Sequence, residues 1–152
     1  EHRIGGLEKD HETGNVSYDP DNHEFMCKIR QEKIDRIADF IPELEVDGEE
    51  SGDLLVLSWG GTYGACTTAV SQCQADGLSI SHAHLRFINP FPRNLGTLLG
   101  NFKKIVIPEL NLGQLQKIIS STYGVTSEGI HKLKGRPFTV SELTEQFKEM
   151  LA

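Results

Sequence analysis

Apolar residues first recur at helical steps and later gather into short unbroken runs, so the hydrophobic pattern changes character near residue 50. Asp19 can cap a helix that begins at Pro20, and Phe25, Met26, Ile29, Ile34, Ile37, Ala38 and Ile41 then follow at its spacing until Pro42 stops it. Residues 1–19 before it read as an irregular or hairpin-like arm, with His11 to Asn15 at the tip and Ile4, Leu7, Val16 and Tyr18 on either side. Residues 43–52 combine five carboxylates with two glycines, a composition that buries little and reads as a linker. This places a boundary between residues 1–45, an arm and connecting helix, and a domain over 46–152.

Beyond that boundary strands and helices alternate. Leu54-Leu55-Val56-Leu57-Ser58-Trp59 is nearly all apolar, as a central strand buried on both faces must be. Gly60-Gly61 turns the chain into a helix from Thr62 to Ala75, and Ile80 to Leu85 completes a βαβ unit. Asn89-Pro90-Phe91-Pro92 interrupts regular structure, a short helix fits 94–99, and Lys104 to Pro108 forms a third strand whose exit is set by the proline. A helix opened by Asn111-Leu112-Gly113 carries Leu115, Ile118 and Ile119, and Gly129 to Leu133 supplies an edge strand. The last helix has a capping box, Thr139 with Glu142, and a staple between Phe138 and Leu143. The alternation predicts an α/β fold with a mostly parallel sheet covered on both faces.

Charge narrows the partners. Fifteen Lys and Arg against 22 Asp and Glu give a net charge of −7, so no basic field draws nucleic acid or anionic lipid. The apolar runs fall far short of the roughly 20 residues of a membrane span. Cys27, Cys66 and Cys73 are an odd set without a CxxC pair, which suggests neither a disulfide framework nor a cysteine-held cluster and fits a reducing cytoplasm. The opening Glu1-His2-Arg3-Ile4-Gly5-Gly6, neither an initiator Met nor a leader, reads as the trimmed end of a longer chain.

Three segments carry candidate chemistry. Gly60, Gly61, Thr62, Tyr63 and Gly64 join a strand end to a helix start, where backbone N–H groups can hold an anion or a neighbouring domain. The spacing matches neither GxGxxG nor a phosphate loop, and glycines required for a tight turn and close packing explain it as well. His82 and His84 point to one face of their strand, but no third metal ligand is evident and Arg86 on the same face repels a cation. Hydrogen-bonded or subunit-contacting histidines are the better reading. Glu109 ends the third strand at the rim where α/β sites form, and helix capping or an ion pair accounts for it equally. No nucleophile motif occurs, so no residue is assigned a catalytic role and none a metal.

Four stretches in order, residues 6–20, Asp53 to Ala65, His82 to Pro92 with its Asn-Pro-Phe-Pro, and Pro108 to Leu115, resemble the alpha subunit of 2-oxoacid:ferredoxin oxidoreductases, the 2-oxoglutarate enzyme above all. The resemblance spans nearly the whole chain. It implies a C-terminal domain like that of transketolase, with a five-stranded mixed sheet between helix layers and residues 1–45 as the tail of a preceding domain. It also implies a parent enzyme that decarboxylates a 2-oxoacid to an acyl-CoA using thiamine diphosphate, magnesium, iron–sulfur clusters and coenzyme A. The implied partners are the rest of the alpha subunit, a beta subunit and ferredoxin. The family's Tyr-Pro-Ile-Thr-Pro and Gly-Asp-Gly motifs are absent, so no cofactor is expected on this segment and its role is structural. His82, His84, Arg86, Asn89, Glu109 and Asn111 are then the expected subunit contacts. An independent module that binds a small anion at Gly60 to Gly64 is the alternative.

Overall fold

The computed structural model describes residues 5–152, so Ile4 of the expected arm lies outside the described residues. It divides into two compact units, Glu1–Ile41 and Pro42–Ala152.

In the first unit an antiparallel bridge joins Lys9 to Val16, and Asp10 accepts from the Thr13 backbone and hydroxyl to close the turn between them. Helix α1 (Pro20–Asp35) starts as its sequence dictates, with the Asp19 carboxylate accepting from the Asp21 N–H. It passes into a 3₁₀ turn at Arg36–Asp39 instead of running on to Ile41. Asn22, buried on its first turn, donates to the Lys9 carbonyl and accepts from the His11 N–H, tying arm to helix. Phe25, Ile29 and Ile37, expected on a covered face, are each more than a third exposed.

The second unit is a five-stranded sheet in the order β1-β3-β2-β4-β5, with β1 (Val46–Asp47), β2 (Gly52–Trp59), β3 (Ile80–Leu85), β4 (Phe102–Glu109) and β5 (Glu128–His131). All neighbours run parallel except β1, which pairs antiparallel with β3 through Val46–Ala83 and Asp47–His82. The central place of β2 and the edge place of β5 agree with the sequence pattern. The linker reading of 43–52 does not hold: Leu44 and Val46 pack against the core, and backbone pairing outweighs the acidic composition around them. Pro108 does not end its strand either. It sits within β4 opposite Ile130, and the strand closes one residue later at Glu109.

Alternation along β2 sends Leu54 and Val56 to one face and Leu55 and Leu57 to the other. The first face packs on α2 (Tyr63–Ala75), through Cys66, Ala69, Val70 and Cys73, and on α5 (Val140–Leu151), through Leu143 and Phe147. The second packs on α3 (Leu95–Gly100) and α4 (Gln114–Tyr123), through Leu95, Leu99, Leu115 and Ile119. Two helix layers therefore enclose the sheet, as the alternation of elements predicts. The capping box of α5 forms: Thr139 accepts from the Glu142 N–H and Glu142 from the Thr139 N–H. The Lys132 ammonium and then that backbone bond hold the Glu142 carboxyl down at about 2.

Candidate functional site: a hydroxyl-bridged histidine pair and two strand-to-helix junctions

A single polar residue interrupts the buried run of β2. The Ser58 hydroxyl, fully buried, lies 2.7 Å from His82 Nε2 and 2.7 Å from His84 Nδ1 on the neighbouring strand. Thr67 of α2 approaches the other nitrogen of His82 at 3.3 Å. One hydroxyl carries one proton, so it donates to one imidazole and accepts from the other, which couples the tautomers of the two rings. When Ser58 donates to His84, the Nε2 of His84 bears hydrogen; when Ser58 donates to His82, His84 supplies the N–H and its Nε2 is an acceptor.

Burial, reinforced by the neighbouring His84, pulls His82 down to about 4 and keeps it neutral near pH 7. His84 is lowered by burial and then by Arg86. Tyr63 packs edge-on against His84 with ring centroids 4.8 Å apart. These rings and Arg86 form one side of a cleft of about 510 Å³ whose other side is the stretch from Pro42 to Asp47. The histidines are thus hydrogen-bonded groups beside the sheet edge. Ser58 and Thr67, which join them, escaped the sequence reading, although a lone hydroxyl in an apolar central strand was the available signal.

The β2–α2 junction is open. Gly60 has φ +56°, the left-handed turn that glycine permits, and the Thr62 hydroxyl closes the corner by donating to the Trp59 carbonyl at 2.8 Å. The close-packing explanation of the other glycines fails, since a Cβ added at Gly60, Gly61 or Gly64 would meet no atom within 4 Å. Thr62, at the N-cap of α2, makes no side-chain capping bond.

The β4–α4 junction is closed. Glu109 is fully buried, and its carboxylate accepts from the N–H groups of Leu115 at 2.9 Å and Gln116 at 3.1 Å, from Asn111 Nδ2 and from Trp59 Nε1. Asn111 in turn accepts from the Gly113 and Gln114 N–H groups. Of the two readings the sequence left for Glu109, capping is the one that forms. Gly113, at φ +78°, and Gly129 both lie against His131 and Gln116, a contact the sequence did not reveal. Asn89 sits exposed in the loop after β3, apart from these networks.

The buried polar groups of this α/β unit are thus consumed by one another, while apolar side chains stand exposed after its strands. The chain matches the C-terminal part of alpha subunits of 2-oxoacid:ferredoxin oxidoreductases. It is 44% identical, along its full length, to the 2-oxoglutarate oxidoreductase subunit KorA of Mycobacterium tuberculosis, and covers 23% of that protein. It is 30% identical over 88% of its length to the alpha subunit of 2-oxoacid:ferredoxin oxidoreductase 1 of Aeropyrum pernix, of which it covers 22%. Among solved structures, 2-oxoglutarate:ferredoxin oxidoreductase from Magnetococcus marinus, with 2-oxoglutarate, coenzyme A and succinyl-CoA bound, matches the whole chain at a TM-score of 0.92 and 30% identity; the match covers 27% of that chain. The chain therefore spans about a quarter of the length of these relatives. No family model matches it.

Proposed function

We propose that this chain is the C-terminal structural and assembly domain of the alpha subunit of a thiamine-diphosphate-dependent 2-oxoglutarate:ferredoxin oxidoreductase, an enzyme of the cytoplasm. The observation that carries the reading is the surface at the carboxyl ends of the strands. Tyr63 after β2, Phe87 and Ile88 after β3, and Leu110 and Leu112 after β4 are all between 37% and 65% exposed. Five large apolar side chains on one edge of a sheet mark an interaction surface. The rest of the alpha subunit and the beta subunit are the partners this reading assigns to it, with residues 1–45 as the tail of the preceding domain. His84, Arg86 and Asn89 border that edge as contacts, while buried Glu109 and half-buried Asn111 support it from beneath.

The parent reaction converts a 2-oxoacid to an acyl-CoA and passes electrons to ferredoxin. Three cysteines cannot supply the four thiolates of a common iron–sulfur cluster, and two of them, Cys66 and Cys73, are buried in α2. Burial pushes the Cys66 thiol up to about 12, which keeps it protonated and unsuited to bind metal. On this reading the clusters lie in other parts of the enzyme, as do thiamine diphosphate and magnesium, whose Gly-Asp-Gly motif the sequence lacks, and this domain acts by fixing the geometry around them.

The test is assembly. Leu112→Lys together with Phe87→Lys in the whole alpha subunit should weaken its association with the beta subunit and lower 2-oxoglutarate- and coenzyme A-dependent reduction of an electron acceptor, leaving the fold of residues 42–152 intact. Unchanged assembly and turnover in that double variant would remove the interface role. Saturable micromolar binding of inorganic phosphate by the 152-residue chain, abolished by closing the Gly60–Gly64 turn, would favour the anion-binding module instead.

A further inference from the structure

In the first unit, His23, Cys27 and Arg30 fall on one face of α1, spaced four and three residues apart. Glu8 of the arm meets them there. Its Oε2 lies 2.6 Å from His23 Nδ1, and both its oxygens accept from the Arg30 guanidinium at 3.1 Å. The opposite nitrogen of His23, Nε2, lies 3.7 Å from Cys27 Sγ, and Arg30 Nη2 donates to the same sulfur at 3.3 Å. The four groups close a ring. We propose that Cys27 is a reactive thiol, with His23 as its base, Glu8 as the group that orients His23 and Arg30 as the donor that stabilises the sulfur's negative charge, and that it takes up small disulfides of the glutathione class.

Each role follows from position. A nucleophile within reach of a base, whose far nitrogen is held by a third group, is the arrangement that activates cysteine. Arg30 and then His23 hold the Glu8 carboxyl at about 2, so it remains an acceptor through the neutral range and keeps His23 protonated at Nδ1 and free to accept at Nε2. Glu8, His23 and Cys27 are close enough together to be considered as metal ligands. Arg30 argues against that use, because its guanidinium already occupies both carboxylate oxygens and places a positive charge against the sulfur.

The proposed step balances without a further reagent. The Cys27 S–H proton passes to His23 Nε2, and Sγ attacks one sulfur of the disulfide. That S–S bond breaks, and the departing thiolate recovers the proton from His23 as a free thiol. Cys27 is left in a mixed disulfide. Cys27 is exposed and open to such a reagent, whereas Cys66 and Cys73 are fully buried.

Exposure alone makes a cysteine faster than a buried one, so the test compares Cys27 with itself. The 152-residue chain is treated at pH 7 with glutathione disulfide, and separately with iodoacetamide, in the folded state and in urea; peptide mass spectrometry follows each cysteine. The expected result is that folded Cys27 reacts about fivefold faster than the same residue in urea, since His23 stands ready to take the proton and Arg30 faces the sulfur as it attacks. His23→Ala and Arg30→Gln should each bring that ratio close to one, and Arg30→Lys, which keeps the charge, should restore part of it. Circular dichroism identifies any variant that loses α1, and Glu8→Gln replaces such a variant in the comparison. A folded rate no faster than the urea rate, or an enhancement that survives His23→Ala and Arg30→Gln alike, overturns the assignment. Protection of Cys27 by micromolar zinc at an equimolar ratio also overturns it, in favour of a metal site.

Discussion

The junctions β2–α2 and β4–α4 leave the same edge of one sheet, yet they solve the helix N-terminus in opposite ways. At the second, the chain supplies its own anion: Glu109 and Asn111 fill the first turn of α4, and Gly113 and Gly129 are packed against His131 and Gln116. At the first, the Gly60 corner stands clear of neighbours and α2 begins without a side-chain cap. The contrast separates a glycine that is needed by the fold from one that leaves backbone exposed. It places the internally finished junction among structural features and the open one on the surface proposed for the partner domains.

Substitutions can break this comparison. The largest effect is expected from Glu109→Ala, which strands two backbone N–H groups, the Asn111 amide and the Trp59 indole; a loss of about 2–4 kcal/mol in urea unfolding is expected. A loss below about 1 kcal/mol would mean that the closed junction is no more committed than the open one.

Acid tests the histidines behind the open junction. Folded His82 titrates at about 4, below the ordinary 6.5, so between these values the unfolded chain binds the proton and the folded chain does not. The stability this contributes is complete above pH 6.5 and is lost as the pH falls towards 4, by at most about 3 kcal/mol. The difference in midpoint between pH 7 and pH 4.5 should shrink in His82→Gln. An undiminished difference would show that other groups carry the acid sensitivity.

Gly113→Ala should cost about 1–2 kcal/mol, because it places a Cβ in left-handed backbone and against His131. Gly61→Ala, with open space around it, should stay within about 0.5 kcal/mol in thermal unfolding. Equal costs at the two glycines would erase the distinction between the junctions.

The layered fold was legible because Leu54 to Leu57 and Ile105 to Ile107 are buried on both faces, and a strand in that position leaves a continuous apolar run. The face pairing of His82 with His84 was legible from period-two geometry. Ser58 stood out as the lone hydroxyl in its apolar run, but its partners, and the approach of Thr67 from helix to sheet, depend on register and packing that no local pattern encodes. Val46 and Asp47 were missed for a related reason: a two-residue strand has no periodicity, and the acids around it point to a loop. Along α1 the helical spacing was correct, but spacing alone does not say what covers Phe25 and Ile29, and they are exposed in this chain.

That two-residue strand has a use of its own. Without β1, the outer side of β3 would offer six residues of unpaired backbone, a template on which another copy could add a strand. Val46 and Asp47 occupy its middle in the antiparallel sense, and exposed Glu45, Glu49 and Glu50 surround them with like charge. A second molecule approaching this side meets a strand too short to extend and a field that repels its own counterpart. The acidic stretch thus disfavours edge-to-edge pairing on this side of the sheet.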